Sequence, residues 1–183
     1  TGDTNYHHLE IWTSLTATNP DHMDELWYRL YCAISRCNRA IVALQRNGAS
    51  TLGEDVTNQR LAEVKFLRAH FYYKLITVFR QVPWVDEVVF ENNTVEQVRN
   101  DQYSYEELFG KIIDDFQTAY DVLPAKQEDG GRVNKIAAAS YLAKCYLNLA
   151  WGDGYEATTG VSHINRDYMQ KVIDYTDAVV NSE

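Results

Sequence analysis

The chain is 183 residues long, with 45% hydrophobic and 23% charged residues, the composition of a folded domain with its own core rather than of a disordered segment. Its formal net charge of −9 argues against nucleic acid as a partner, because binding phosphates requires a surplus of Lys and Arg, and against docking on anionic lipid. No apolar run is long enough to cross a bilayer. Neutral or cationic partners, sugars among them, remain open.

The first two helices are predicted from apolar residues that recur at three- and four-residue spacing. The first begins at 19–20, where Asn provides an N-cap and Pro occupies the first helical position. Asn47-Gly48 predicts its end. A second helix is predicted to start near Glu54 to Thr57 and to end at Pro83, whose ring cannot continue a helix.

The segment from Val82 to Asp101 lacks a helical period and contains Asn92-Asn93, a turn signal. It is predicted to be a long loop with a short extended stretch at Val85 to Phe90.

Three further helices are predicted downstream. Ser104 and Glu107 form a capping box that opens the third helix, which ends at Pro124. Asn134 is expected to cap the fourth helix, and Asn165 the fifth, after a loop of small residues at 152–160. Five helices and no strand pattern predict an all-α fold.

The second and fourth predicted helices resemble each other without gaps. Leu61-Ala62 matches Ile136-Ala137, and Phe66-Leu67 matches Tyr141-Leu142. The offset exceeds a tetratricopeptide unit of about 34 residues, but two helix pairs with long loops would fit it. We therefore interpret residues 1–183 as a single helical-repeat domain in which antiparallel helix pairs stack as a tetratricopeptide-like solenoid.

The sequence offers no clear set of converging catalytic groups. Histidines occur at positions 7, 8, 22, 70 and 163 without a metal-binding motif, and no glycine-rich phosphate loop is present. Asp24-Glu25 and Asp114-Asp115 are candidate acid/base carboxylates, but both pairs are expected on solvated helix faces. Arg68 is expected to form a structural ion pair. The three cysteines show no paired spacing and are expected to be buried free thiols. We predict no catalytic residue, metal or cofactor.

Three tryptophans, Trp12, Trp84 and Trp151, fall in or beside predicted loops. The face of such a ring can stack on a hydroxyl-rich ligand. The alternative is that each tryptophan folds back on the helices as a lid. Trp12 is our first predicted ligand-binding residue, because it lies in a polar segment before the helices, and Trp84 is the second.

Four ordered blocks of residues resemble the SusD/RagB family: Trp27–Tyr31, Ala62–Tyr73, Ser104–Leu108 and Gly131–Lys135. With the residues that follow each block, they cover the chain from Trp27 to about Leu149. Two positions depart from the family's pattern. Arg80 stands where the family often has glycine, and Trp84 stands where a small or aliphatic residue often follows the proline.

This resemblance implies a non-enzymatic lipoprotein of the Bacteroidetes outer membrane, exposed at the cell surface. Such a protein binds a glycan or oligosaccharide and caps a SusC-like TonB-dependent transporter that imports it. Members of the family run to several hundred residues and begin at a lipid-modified cysteine. This chain, which starts at Thr1, is therefore expected to be the helical-repeat part of a longer protein, with the anchor outside it.

Two other functions stay open from the sequence. The same helices could serve as a tetratricopeptide-like adaptor that binds a protein partner and no sugar. An all-α carbohydrate-active enzyme would instead need a working carboxylate pair, for which Asp114-Asp115 is the candidate.

Overall fold

The structure, a computed structural model, describes residues 21–151 and 164–182. This part of the chain contains α-helices and one 3₁₀ turn but no β-strand, which confirms the predicted all-α class. The helix start predicted at 19–20 and the loop predicted at 152–160 lie outside the described residues. None of the described helices has the length and apolar content needed to span a membrane. The helices are α1 Asp21–Leu52, α2 Glu54–Phe79, α3 Glu87–Glu91, α4 Tyr105–Val122, α5 Lys135–Trp151 and α6 Arg166–Val180, with the 3₁₀ turn at Val95–Gln97.

The long helices pack in chain order, α1 on α2, α2 on α4, α4 on α5 and α5 on α6. Contacts near both ends of α1 show that it runs antiparallel to α2. Trp27, near the start of α1, meets Phe79 at the end of α2 with ring centroids 4.9 Å apart. At the other end, Gly48 lies against Thr57.

The internal resemblance between α2 and α5 corresponds to a spatial relation. The rings of Phe66 and Tyr141 lie 5.5 Å apart, and Asn148 Nδ2 donates to the Tyr73 hydroxyl at 3.2 Å across a separation of 75 residues. In both pairs the two residues are 75 positions apart in sequence. The helices α2 and α5 therefore lie side by side and run parallel. The helix pairs α2–α4 and α5–α6 are therefore successive units of the stack.

Three predicted N-caps are confirmed. Ser104 Oγ accepts from the Glu107 amide at 3.2 Å, and Glu107 Oε2 accepts from the Ser104 amide at 2.7 Å. Asn134 Oδ1 accepts from the Ala137 amide at 2.9 Å, and Asn165 Oδ1 accepts from two amides of the first turn of α6. These bonds satisfy amides that have no partner within their own helix.

The end predicted for the first helix at Asn47-Gly48 is wrong, because α1 continues to Leu52. Gly48 is buried, and a Cβ atom at this position would lie 2.4 Å from Cγ2 of Thr57. Glycine at this position thus permits close contact between α1 and α2. The chain breaks instead at Gly53, which has a φ of +84° that side-chain-bearing residues rarely adopt.

The extended stretch predicted at Val85 to Phe90 is also wrong. The carboxylate of Asp86 accepts hydrogen bonds from the amides of Val88 and Val89 at 3.1 and 3.0 Å, and this N-cap begins the short helix α3. A five-residue helix is too short to show a helical period, so only its N-cap could have indicated it.

Helix α2 ends in a tight turn centred on Arg80. The Gln81 amide donates to the Phe79 carbonyl at 2.7 Å, and Arg80 has a φ of 61° and a ψ of −65°, the angles of the rare, strained form of γ-turn. The position where the family often has glycine is therefore one at which a side chain strains the backbone.

We predict that an Arg80→Gly variant is more stable than Arg80→Ala by about 1 kcal/mol. Both variants lose the stacking of the Arg80 guanidinium on Tyr105, where the separation is 4.9 Å, but only glycine relieves the positive φ. Urea unfolding followed by circular dichroism measures the difference. Equal stabilities would show that this turn stores no strain.

Candidate functional site

A buried arginine, Arg68 in the middle of α2, lies at the centre of a polar network and is only 4% exposed. Its Nε and Nη2 donate to the two carboxylate oxygens of Asp115 on α4 at 2.6 and 2.9 Å. Its Nη1 donates to Oδ1 of Asn38 on α1 at 3.0 Å and to the carboxylate of Glu87 on α3. The planar guanidinium matches a carboxylate in this two-bond geometry. One side chain thus links four helices.

Burial and charge act against each other in this network. Burial lowers the pKa of Arg68, but the hydrogen bonds and charges of Asp115 and Glu87 outweigh it and raise that pKa above its usual range. Burial would raise the pKa of Glu87, yet the charge of Arg68 holds it below its usual value. Burial raises the pKa of Asp115, and Arg68 offsets this only in part. The cost of burying these groups makes each dependent on its partners.

The expectation that Asp114-Asp115 faces water is wrong for the second residue. Asp114 is exposed, but Asp115 is buried because it lies on the apolar stripe of α4, three residues after Ile112 and one before Phe116. The structural ion pair expected for Arg68 is confirmed. The other acidic pair, at 24–25, is exposed as expected.

Backbone-directed hydrogen bonds hold the segment after α2 on the helices. Asn38 Nδ2 donates to the Val85 carbonyl at 2.8 Å, and the Val85 amide donates to the Tyr72 hydroxyl at 2.7 Å. The Tyr31 hydroxyl donates to the Pro83 carbonyl at 2.7 Å. Because Asn38 is also bonded to the guanidinium described above, this segment and the buried charges form one network.

Trp84 lies inside this network and is 5% exposed. Its ring stacks on Tyr72 with centroids 4.1 Å apart, and the cationic groups of Arg68 and Lys111 lie 5.7 and 5.6 Å from its centroid. This placement agrees with the alternative in which a loop tryptophan folds back as a lid. Trp12 lies outside the described residues.

A groove of about 570 Å³ runs beside the first half of α2 and is bordered by α1 and α4. We call it the amide groove, because three carboxamide side chains line it. The remaining lining is one acidic, one basic and one hydroxyl side chain together with apolar ones. The lining residues are Gln45, Asp55, Asn58, Gln59, Leu61, Lys65, Thr118, Val122 and Pro124.

A second cavity of about 320 Å³ adjoins the amide groove, since Gln59 lines both. Its wall is fixed by Glu63, a nearly buried carboxylate that accepts from Arg60 at 2.7 and 2.8 Å, from Arg132 at 2.9 Å and from Gln127 at 3.0 Å. Gln127 Oε1 in turn accepts from Gln59 Nε2 at 2.8 Å. The loop between α4 and α5 is thereby tied to α2.

The outward sides of α2 and α5 form a second surface of the chain. Residues 64–79 and all of α5 contain no Asp or Glu, although the chain has a net charge of −9. His70 lies here, and burial together with Lys74 and Lys144 lowers its pKa. Its Nδ1 atom is buried without a hydrogen-bond partner among the described residues. We call this surface the basic–apolar face; its exposed apolar residues are Leu67, Val78, Leu147 and Trp151.

The described residues contain no cluster of three or more His, Cys, Asp or Glu side chains that could hold a metal. His7, His8 and His163 lie outside them. Cys37 and Cys145 are buried free thiols, as expected, whereas Cys32 is only partly buried. Burial raises the pKa of Cys37 to about 11, so this thiol is not a thiolate nucleophile at neutral pH.

Comparison with known proteins places this chain in a family. Residues 3–147 match a SusD-like family described as starch-binding and associating with the outer membrane. SusD-like protein P2 of Formosa agariphila is 31% identical over 121 residues, which are 66% of this chain and 23% of that protein. The chain therefore belongs to the SusD-like family, and it spans about a quarter of the length of this relative.

Two solved structures share the fold. A SusD homologue from Bacteroides thetaiotaomicron superposes with a TM-score of 0.73 at 23% identity, over 91% of this chain and 31% of that one. A structure solved with a xylogluco-oligosaccharide superposes with a TM-score of 0.68 at 22% identity, over 88% of this chain and 30% of that one. These likenesses confirm the predicted stack of helix pairs.

We predict that Arg68→Met destabilises the chain by about 3–5 kcal/mol, because Asp115 is left buried without its partner. The double variant Arg68→Met/Asp115→Leu should recover part of this loss, since it removes the buried carboxylate of Asp115 and leaves only the less buried Glu87 without its cation. Urea unfolding measures both. Arg99→Ala is the control, because it breaks an exposed ion pair with Asp101 and should change little. A loss for Arg68→Met no larger than the control's would contradict the central role of Arg68.

Proposed function

We propose that this chain is the helical-repeat part of a non-enzymatic, glycan-binding component of an outer-membrane polysaccharide uptake system. The observation that carries the proposal is the match of residues 3–147 to the family described as starch-binding and outer-membrane-associating. The related structure solved with a xylogluco-oligosaccharide supports a neutral glycan as the ligand. In the whole protein, a lipid anchor holds the component at the cell surface.

The absence of catalysis is part of this proposal. A glycosidase needs two carboxyl groups that flank the scissile bond. Asp114 is exposed, but both oxygens of Asp115 are bonded to Arg68. This arrangement supports a structural role for Asp115 and disfavours Asp114-Asp115 as a catalytic pair.

Trp12 stays our first proposed glycan contact, and Trp84 the second. The ring of Trp84 is covered by Tyr72, so a direct contact would require the segment 82–86 to lift from the helices. We therefore propose that Trp12 contributes more to binding than Trp84 does.

We predict that a gel containing a neutral polysaccharide, such as starch or xyloglucan, retards this chain. Trp12→Ala should weaken the binding about tenfold, because losing a stacked ring removes on the order of 1.4 kcal/mol. Trp84→Ala should weaken it less. Tyr28→Ala is the control, since Tyr28 is a highly exposed aromatic residue on α1. Migration that no polysaccharide changes would contradict glycan binding by this chain, and unaltered binding by Trp12→Ala would remove Trp12 from the site.

The proposal also includes a protein partner, a SusC-like TonB-dependent transporter that the component caps. The basic–apolar face supports a protein contact, because a group of exposed apolar side chains rimmed by polar residues marks an interaction surface. The alternative, an adaptor with no sugar ligand, would use the same face. Glycan binding distinguishes the two functions.

We predict that Lys144→Glu/Leu147→Glu lowers the recovery of a co-expressed SusC-like transporter with the tagged parent protein several-fold, because two carboxylates are placed on an apolar, acid-free surface. Ile173→Glu on α6 is the control, since Ile173 is similarly exposed but lies on another helix. Electrophoresis of the same variants through gels that contain the polysaccharide shows whether glycan binding is changed as well as transporter binding. Equal recovery of the transporter with all variants would exclude this face as the contact.

A further inference from the structure

We infer that the amide groove binds a neutral oligosaccharide through the carboxamides of Gln45 and Asn58. This inference rests on the proposed function, because it gives the proposed glycan a place on the chain and a chemical class. It uses none of the tryptophans predicted from the sequence.

The size of the groove suits such a ligand. Small-molecule sites have volumes of about 300–1,000 Å³, and the amide groove has about 570 Å³. The adjoining cavity of about 320 Å³ continues it past Gln59. Two adjoining cavities fit a chain of sugar units better than a single monosaccharide.

The chemistry of the lining matches hydroxyl groups. A carboxamide offers both donors and acceptors, and so does each sugar hydroxyl. Gln45 and Asn58 are exposed, and neither makes a side-chain hydrogen bond to the rest of the described chain. Gln59 uses its Nε2 to bond Gln127, which leaves its oxygen as an acceptor. Thr118 donates its hydroxyl hydrogen to the Asp114 carbonyl, so its oxygen can also accept.

The charges in the groove favour a ligand without charge. Asp55 and Lys65 both line it, so its two charged side chains cancel. In the adjoining cavity, Arg60 and Arg132 are already paired with Glu63. Lys126 lines that cavity too, together with Glu128 and Asp129. A uronate or sulfate group would therefore meet a lining in which positive and negative charges are balanced.

The walls of the groove are packed helices, and a preorganised site lowers the entropic cost of binding. Apart from Pro124, its lining comes from α1, α2 and α4, and Arg68 joins these same helices through Asn38 and Asp115. A site built on packed helices holds its polar groups more precisely than one on a loop.

The experiment titrates the whole chain with maltohexaose and with a xyloglucan oligosaccharide. It follows the side-chain NH₂ resonances of Gln45 and Asn58 by ¹H–¹⁵N NMR, each assigned from the pair of peaks that its own alanine variant loses. We expect both pairs to shift on adding at least one of the two neutral sugars. Gln45→Ala/Asn58→Ala should bind that sugar about tenfold or more weakly, because the hydrogen bonds of both carboxamides to the sugar are lost.

The matched control is Gln97→Ala/Asn100→Ala, which removes one exposed glutamine and one exposed asparagine outside the groove and should bind as tightly as the unaltered chain. An oligogalacturonate should bind more weakly than the neutral sugars. Circular dichroism checks that both double variants stay folded, which surface positions should allow.

The possible results separate this inference from the proposed function. Sugar binding that the groove variant retains in full would overturn the inference and leave glycan binding by the chain intact. Tighter binding of the oligogalacturonate would overturn the neutral ligand class. A chain that binds neither neutral sugar would overturn the inference and also count against the proposed glycan binding.

Discussion

The two-bond contact between Arg68 and Asp115 joins α2 to α4 at the centre of the polar network. Removing a guanidinium and a carboxylate from water is costly, so the pair is favourable only when other hydrogen bonds support it. Here Asn38 and Glu87 both accept from Nη1 of Arg68. One buried charge therefore joins α1, α3 and α4 to α2. The segment that carries Trp84 is bound to the same network through Asn38, and the borders of the amide groove belong to the same long helices.

The parts of the fold that follow from short-range chemistry could be predicted from the sequence. The caps at Ser104, Asn134 and Asn165 depend on one side chain and the amides next to it, and the repeat relating α2 to α5 shows in the apolar pattern. The errors arose where a distant residue decides the outcome. Gly48 resembles a helix stop, but it lies inside α1, where Thr57 of the neighbouring helix leaves no room for a side chain. Asp115 is an acidic residue on an apolar stripe, and only the arginine 47 positions earlier in sequence explains its burial.

The candidate site was less predictable than the fold. Loop tryptophans suggested a stacking surface, but in the structure Tyr72 covers the ring of Trp84. No local feature of the sequence shows which face of a tryptophan ring in a loop stays exposed to solvent. The amide groove has no sequence motif, because its residues come from three helices and are ordinary surface side chains in each. The basic–apolar face could have been found earlier, since the absence of acidic residues from 64–79 is visible in an otherwise acidic chain.

Lys65 lines the amide groove, and Leu67 is exposed on the basic–apolar face. Two residues along an α-helix are separated by about 200° around its axis, so the groove and the face lie on nearly opposite sides of α2. A single helix thus acts as a partition between two surfaces of different chemistry. A sugar held on one side would neither block nor be displaced by a protein bound on the other. The two bound states would then be sterically independent.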